Sequence, residues 1–320
     1  MTRLTRKLMI SILTVVLSIS ALGTTTFAWF TLTNVATVEE FSANIVSETG
    51  IEISLDGINW YNSLSSELIE AAIGEDFAFN HVTSADGMNF LTLGTSALVD
   101  ASESDYISLV VYFRTAKVDS IIWTEVSLTG TNVEWSPDVP FTASDGTNVT
   151  TASTVDVNAA NAMRIAVYSP RDFAATALAP IVYEKAATST ALGSWNTFLD
   201  VKGDLSGVDG FGAPGAMDYY FEKTGELPFG AADPLVTTVD SVDTLPTGVS
   251  AIVMNFESTT DGVITYDEFD DFDVNYGTAL GGYLVINIWF EGYDAEAYNS
   301  LLAQQIAASF TFEGYEIPTP

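Results

Sequence analysis

The side chains that most often carry enzyme chemistry are scarce in this sequence. His81 is the only histidine and cysteine is absent, so one chain cannot form an HExxH zinc motif, a multi-histidine metal site or a thiolate nucleophile. A Ser-His-Asp triad would have to use His81, and no G-x-S-x-G sequence accompanies it. Carboxylate pairs suited to glycoside hydrolysis are inevitable among 42 acidic residues. We therefore expect no enzymatic activity and a structural role for His81, which lies among aromatic residues.

The sharpest local motif spans residues 261–269, DGVITYDEF. It follows the second half of an EF-hand loop, which needs an oxygen ligand, a glycine for a sharp turn, a backbone carbonyl, an apolar residue and a final glutamate. The candidate calcium ligands are Glu257, Thr259, Asp261, Val263, Thr265 and Glu268. Glu257 and Thr259 depart from the pattern, which prefers aspartate or asparagine at their positions. A hairpin turned at Asp261 and Gly262 is the alternative that needs no metal.

The elements that would position these residues are mainly β-strands. Short alternating or apolar runs rich in valine, isoleucine, threonine and aromatic residues occur at residues 50–60, 106–114, 120–128, 162–168, 250–256, 282–291 and 308–313. Asp-Gly pairs beginning at positions 56, 86, 145, 209 and 261 predict tight turns, and we find no internal repeat. Capping residues and helical spacing predict two short helices, at residues 65–73 and 294–307.

The predicted domain covers residues 46–320, with a large insertion around residues 136–246. Residues 136–160 are rich in Ser, Thr, Asn and Ala, and residues 203–215 are rich in glycine, so both segments are expected to be surface loops. The alternative is a separate second domain.

The N-terminus has the layout of a secretion signal. Basic residues are followed by an apolar run at residues 8–22, which is too short for a comfortable membrane span. We predict a signal peptide at residues 1–28, with Thr26 and Ala28 at the small positions and Trp29 as the first mature residue. Cleavage after Gly23 is the competing site, and an uncleaved membrane anchor is the alternative. The protein is therefore expected outside the cell or on its surface, with signal peptidase as a processing partner and any membrane contact made through the uncleaved signal.

The mature chain would be strongly acidic. Removing the signal leaves seven basic and 42 acidic residues, a formal charge of −35. This charge repels nucleic acid and favours divalent cations, although an acidic surface is equally typical of proteins adapted to high salt. Stability without disulfides must come from a large core, from metal ions or from assembly with other subunits.

Two short motifs carry a family resemblance. Residues 26–31, TFAWFT, and the strand-like segment 288–292, IWFEG, followed by D-x-E at residues 294–296, resemble the TasA and camelysin group of secreted proteins from Gram-positive bacteria. The resemblance implies a jelly-roll-like antiparallel β-sandwich that is built into fibres of the cell surface or biofilm matrix. It also implies that the mature N-terminal segment, residues 29–45, leaves its own subunit and completes the sheet of the next.

The assembling strand would present apolar residues along its length, namely Trp29, Phe30, Leu32, Val35, Val38, Phe41 and Ile45. Such a segment finds backbone partners at a sheet edge, but sequence does not determine whose sheet it joins. The first strand of the chain's own sandwich is thus an equal interpretation. The alternative function is a monomeric calcium-dependent adhesin or glycan-binding module with exposed Trp123, Trp135 and Trp195. A hydrolase that uses paired carboxylates is the third.

Overall fold

The described part of the chain is mainly β-structure. The computed structural model describes residues 38–45, 50–74, 77, 79–93, 98–143, 146–170, 178–185, 215–225, 239–259, 261–266, 272–277, 279–298 and 306–316. The strands are β1 (Val38–Ile45), β2 (Ile51–Ser54), β3 (His81–Val82), β4 (Leu91–Leu93), β5 (Leu98–Asp100), β6 (Ile107–Thr115), β7 (Ser120–Gly130), β8 (Val133–Trp135), β9 (Phe141–Thr142), β10 (Asn148–Val149), β11 (Val155–Val157), β12 (Met163–Tyr168), β13 (Ile181–Glu184), β14 (Ile252–Asn255), β15 (Glu257–Ser258), β16 (Val263–Tyr266), β17 (Phe272–Asn275), β18 (Leu280–Glu291) and β19 (Ile306–Tyr315). The α-helices are α1 (Ser66–Ile73) and α2 (Ala216–Thr224), and two 3-10 turns lie at Ala159–Asn161 and Gly248–Ala251.

Two larger sheets form the body of the molecule. The seven-stranded sheet has the order β13-β12-β18-β6-β2, and β3 and β15 also pair with β18. The four-stranded sheet has the order β1-β19-β7-β14. Pairing in the described sheets is antiparallel except for β1 with β19 and β3 with β18, which are parallel. Four two-stranded ladders complete the described structure: β4-β5, β8-β11, β9-β10 and β16-β17.

The main core lies between the two larger sheets. Phe113 on β6 meets Phe312 on β19 edge to face, with ring centroids 5.8 Å apart. Trp123 on β7 likewise meets Tyr183 on β13 at 6.4 Å. These side chains belong to one continuous cluster of buried residues. The architecture is therefore mainly β and sandwich-like, as the strand patterns predict.

The second face of the seven-stranded sheet is also covered. Tyr266 and Tyr276, on and beside the β16-β17 ladder, are buried, and the Tyr266 ring lies 4.7 Å from that of Tyr283 on β18. From Gly281 onwards, every residue of β18 is buried. This double cover explains why the β18 sequence is mostly apolar, interrupted by Asn287, rather than alternating between apolar and polar residues.

Each of the seven predicted strand regions contains a strand, and α1 confirms the predicted first helix. The predicted second helix is wrong where the structure describes it: residues 294–298 form turns and β19 already begins at Ile306. The Asp294 side chain accepts a hydrogen bond from the Glu296 backbone N–H at 2.8 Å. This bond is typical of a capping aspartate, but here it closes a turn.

The range 136–246, expected to be an insertion, contributes to the sheet itself. β12 lies between β13 and β18 in the seven-stranded sheet, and its residues 163–167 are buried. The range also contains α2, whose Asp218 accepts a hydrogen bond from the Thr142 backbone N–H at 2.7 Å. Residues 144–145, 171–177, 186–214 and 226–238 of this range lie outside the described residues.

Candidate functional site

The edge of the four-stranded sheet holds the described part of the predicted assembling strand. β1 runs parallel to β19 of the same chain, with Val38 opposite Ile306 and Ile45 opposite Phe312. In the described structure, β19 is the one strand that pairs with β1, so β1 is an edge strand. Of the predicted assembly residues, Val38, Phe41 and Ile45 belong to β1, whereas Trp29, Phe30, Leu32 and Val35 lie outside the described residues.

β19, the strand beside β1 in the sheet, has a strongly apolar face. Ile306, Ala308, Phe310 and Phe312 alternate along β19 and are at most 5% exposed. Three of these residues stand opposite Phe41, Ala43 and Ile45 in the β1-β19 register. On its other side β19 pairs with β7 from Ile306 to Tyr315. β19 therefore connects β1 to the rest of the sheet.

The predicted calcium loop is divided between the seven-stranded sheet and the β16-β17 ladder. Glu257 pairs with Gly281 of β18, whereas Val263 and Thr265 lie on β16, which pairs with β17. The Thr265 hydroxyl donates to the Asp273 carboxylate at 2.7 Å, and the Thr259 hydroxyl donates to the Ala279 carbonyl at 3.3 Å. Glu268 lies outside the described residues.

A turn does occur at Asp261 and Gly262, as the alternative interpretation proposed. Both residues have positive φ angles, of 55° and 85°. However, the strands on either side of the turn pair with different partners, so the turn is not the tip of a hairpin. Among the described residues, no group of three or more acidic, histidine or cysteine side chains has an arrangement that could hold a metal ion. Calcium binding stays a prediction.

His81, Trp123 and Trp135 are all packed against other aromatic side chains. Burial lowers the pKa of His81 to about 4, and its ring meets Phe290 edge to face at 4.9 Å. Trp123 is fully buried, so the expectation that it is exposed is wrong. Trp135 is half-buried and packs on Tyr219 and Tyr298, and Trp195 lies outside the described residues. The two described tryptophans of the predicted glycan surface are thus packing residues.

Two surface depressions are large enough to bear on the hydrolase interpretation. One, of about 350 Å³, is lined by Ala72, Ile73, Phe77, Glu103, Tyr106, Ile107 and Ser108. The other, of about 560 Å³, is lined by Thr124, Glu125, Val126, Ser127, Tyr183, Asp243, Thr244, Leu245, Thr247, Ser309 and Thr311. The described linings offer hydroxyls and carboxylates and do not include the buried His81. In neither depression do the lining side chains identify one residue as a catalytic acid and another as a catalytic base.

A buried ionic cluster was missed by the sequence analysis. The guanidinium of Arg164 on β12 contacts Glu184 on β13 at 3.2 Å, Glu291 on β18 at 3.8 Å and Asp294 in the following turn at 3.0 Å. All four side chains are at most 3% exposed. Glu291 also accepts the Trp289 indole N–H at 3.0 Å. The motif IWFEG with D-x-E therefore supplies three members of one polar network in the core.

A seven-residue turn occurs twice, contrary to the expectation of no repeat. Residues 54–60, SLDGINW, and residues 84–90, SADGMNF, share the pattern S-x-D-G-x-N-aromatic. In both turns the aspartate accepts hydrogen bonds from the backbone N–H groups two and three residues later and from the asparagine side chain. Aligning the two Asp-Gly pairs would have revealed the repeat.

The bonding has an electrostatic consequence for Asp56. Partial burial acts to raise its pKa, but the hydrogen bonds from Asn59, Ile58 and Ser54 outweigh it and lower the pKa to about 2. The ionised aspartate therefore holds the turn together throughout the physiological pH range.

Neither α1 nor α2, the helices of the described chain, has the length and apolar character needed to span a bilayer. Comparison of the chain with protein-family models, curated proteins and solved structures gives no match. The resemblance to the TasA and camelysin group stays a prediction based on the short motifs at the two ends of the chain.

Proposed function

We propose that this protein is a secreted structural component of the cell surface or biofilm matrix, which self-assembles into fibres by exchanging its N-terminal strand. The observation that supports this proposal is the position of β1, an N-terminal edge strand that runs parallel to β19. In this proposal the sandwich is jelly-roll-like, the partner is a second copy of the chain, and the chain has no catalytic function.

An edge strand can be exchanged at low energetic cost. An identical strand from another copy would form the same backbone hydrogen bonds with β19 and occupy the same register, so the exchanged and unexchanged states differ little in contacts. Without a strand beside it, β19 would offer unpaired backbone groups next to the apolar row Ile306, Ala308, Phe310 and Phe312. That edge is a suitable acceptor for an extended apolar segment.

Exchange in one direction produces a filament. Each copy would give its strand to one neighbour and accept a strand from the other, and a heterologous contact of this kind propagates when it does not close. Signal peptidase cleavage after Ala28 would free Trp29 and Phe30 as the leading end of the donor strand. Processing would then be the step that permits assembly.

Deletion of the N-terminal segment tests the proposal. Protein beginning at Trp29 is expected to form fibres visible by negative-stain electron microscopy, whereas protein lacking residues 29–45 is expected to remain monomeric. A synthetic peptide of residues 29–45 should bind the deleted protein, which shows that the acceptor edge is intact. Monomers both before and after the deletion would contradict fibre assembly.

Cross-linking distinguishes exchange from other modes of association. Ser42 lies opposite Ser309 in the β1-β19 register, and the chain has no native cysteine. A tagged Ser42→Cys protein mixed with a Ser309→Cys protein should be joined by a short bifunctional thiol reagent, because exchange brings the two sites together between copies.

The control uses a pair that exchange leaves within one chain. Ser127 on β7 lies opposite Ser309 on the other side of β19. A Ser127→Cys protein mixed with the Ser309→Cys protein should therefore give little cross-linking. Equal yields from the two mixtures would indicate stacking of copies without strand exchange.

A further inference from the structure

The cluster around Arg164 contains more buried negative than positive charge. One guanidinium faces the carboxylates of Glu184, Glu291 and Asp294, and each of these side chains is at most 3% exposed. If all three carboxylates were ionised, three negative charges would face one positive charge among these described side chains. Burying unpaired charge is strongly unfavourable, so such a group normally takes a proton or a counter-ion.

Neutral hydrogen-bond donors reduce this imbalance but do not remove it. Glu291 accepts the Trp289 indole N–H at 3.0 Å and the Tyr293 backbone N–H at 3.2 Å. Glu184 accepts the Ser241 hydroxyl, and Asp294 accepts the Glu296 backbone N–H at 2.8 Å. These donors carry no formal charge, so in the interactions described around Arg164 the carboxylates still outnumber the cation.

We propose that the Arg164 cluster retains a proton, mainly on Asp294, and that this proton holds the connection between β18 and β19 in place. The inference is independent of the proposed function, because it concerns folding of a single chain. Binding of the proton would stabilise this connection, and loss of the proton would loosen it.

The position of Asp294 explains why its protonation affects this connection. The residue follows β18 of the larger sheet and precedes β19 of the smaller sheet, so its turn begins the passage between the two layers. Its backbone carbonyl accepts the Ala297 N–H at 3.0 Å, and the neighbouring Ala295 carbonyl accepts the Ala216 N–H of α2 at 2.7 Å. Loosening the side chain of Asp294 would therefore release a turn that also anchors α2.

The charged and titratable groups around Asp294 support a shared proton. Burial raises the pKa of Asp294 to about 7; Arg164 and the Glu296 N–H oppose this shift, while the charges of Glu184 and Glu296 add to it. Glu291 lies at the end of β18 in the same cluster. On the adjoining elements, His81 of β3 meets Phe290 edge to face, and Asp218 of α2 accepts a hydrogen bond from the Thr142 N–H.

The sign of the pH dependence follows from the raised pKa. The ordinary pKa of an aspartate, as in the unfolded chain, is 3.8, so between about pH 4 and pH 7 folding takes up a proton at this site. The site's contribution to stability is therefore greatest at low pH and is lost as the pH rises toward 7. One linked proton changes the ratio of folded to unfolded protein by about tenfold per pH unit.

The test compares three forms of the protein by urea unfolding at pH 5, 6, 7 and 8 in constant salt. Asp294→Asn removes the titrating group, and Asp156→Asn makes the same charge change at an exposed position of β11. The ratio of folded to unfolded unmodified protein, divided by the same ratio for Asp294→Asn, should increase about tenfold per pH unit as the pH falls from 7 to 5. The same comparison with Asp156→Asn should give a quotient that does not change with pH.

Two outcomes decide the proposal. A constant difference between the unmodified protein and Asp294→Asn across this pH range would overturn it. If Asp294→Asn does not fold, infrared spectroscopy of the unmodified protein provides the decision. A carbonyl band of a protonated, buried carboxylic acid should persist at pH 6 and disappear above pH 8, and its absence at pH 6 would overturn the proposal.

Hydrogen exchange locates the effect in the connection. After correction for the intrinsic exchange rate, amides of residues 291–298 should lose more protection between pH 6 and pH 8 than amides of Ile107–Thr115 in β6. The loss in β6 should be no larger than the fall in global stability that urea unfolding measures. Equal loss in both segments would show that the connection opens only together with the whole fold, which would overturn the proposed local effect.

Discussion

His81 lies in an apolar environment that keeps its imidazole neutral. Burial lowers its pKa to about 4, whereas an unfolded histidine titrates near 6.5. Between these values the unfolded chain binds a proton that the folded chain excludes. His81 therefore makes the protein less stable as the pH falls from about 6.5 to 4, which is opposite in sign to the effect of Asp294.

This opposition can be measured with His81→Phe. The substitution removes the titrating group but keeps a ring against Phe290. We expect the free energy of unfolding of His81→Phe, relative to the unmodified protein, to rise by up to about 1.4 kcal/mol per pH unit as the pH falls from 6.5 to 4. Urea unfolding at pH 4.5, 5.5, 6.5 and 7.5 measures the difference.

The result has an internal control because His81 is the only histidine in the chain. Any pH-dependent difference between the two proteins in this range arises from that imidazole. A difference that stays constant with pH would mean that His81 is accessible to protons in the folded state.

Individual residues were predicted unevenly for a physical reason. The structural role of His81 could be inferred from its aromatic neighbours in the sequence. Arg164 could not, because its three carboxylates are 20, 127 and 130 positions away and meet it only through strand pairing and the turn after β18. Arg164 stands opposite Glu184 on one side of β12 and opposite Trp289 on the other. Such a cluster is a property of the sheet order, which the sequence pattern does not specify.

At the scale of elements, periodicity predicted the long strands well and the connections poorly. Strands such as β6 and β7 have a strong apolar pattern along their length, whereas short ladders such as β9-β10 have two residues in each strand. The helix predicted at residues 294–307 failed because a capping aspartate is equally suited to a turn. The hydrogen bond that Arg164 donates to the side chain of that aspartate, at 3.0 Å, holds it in the core. Tertiary contacts thus override the local signal.

The β16-β17 ladder depends on a glycine that local sequence reasoning assigned to a metal loop. Gly262 has a φ of +85°, and a Cβ atom added there would collide with the Gly277 carbonyl oxygen. The Gly262 carbonyl also accepts the Tyr276 N–H at 2.7 Å. We therefore expect Gly262→Ala to lower the free energy of unfolding by more than about 2 kcal/mol. This value combines the cost of a left-handed backbone for alanine with the cost of the steric clash.

Gly277→Ala is the matched control for this substitution. Gly277 also has a positive φ, of +68°, but a Cβ atom there would meet no atom within 4 Å. Gly277→Ala should therefore lower the free energy of unfolding by about 1 kcal/mol, through the cost of the backbone conformation alone. Thermal or urea unfolding gives both values, and equal losses would show that close packing of the two backbones at this site does not contribute to stability.

At the scale of the whole molecule, the proposed assembly must overcome strong like-charge repulsion. The full chain carries 42 acidic and 10 basic residues, and copies in a fibre would bring these charges close together. Repulsion between exposed charges is screened over about 10 Å at 0.1 M salt. We expect fibre elongation from preformed seeds, followed by light scattering, to accelerate as sodium chloride is raised from about 20 mM to about 300 mM.

Comparison of cations at equal ionic strength separates screening from specific binding. Screening alone predicts that sodium chloride acts in the same direction as calcium and magnesium and that Glu268→Gln responds as the unmodified protein does. If calcium binds the loop at residues 257–268, calcium should accelerate elongation more than magnesium, and Glu268→Gln should remove that excess, because a bidentate glutamate is the ligand that completes such a loop. Elongation that slows with added salt would contradict the repulsion argument, since it would mean that attraction between opposite charges drives the contact between copies.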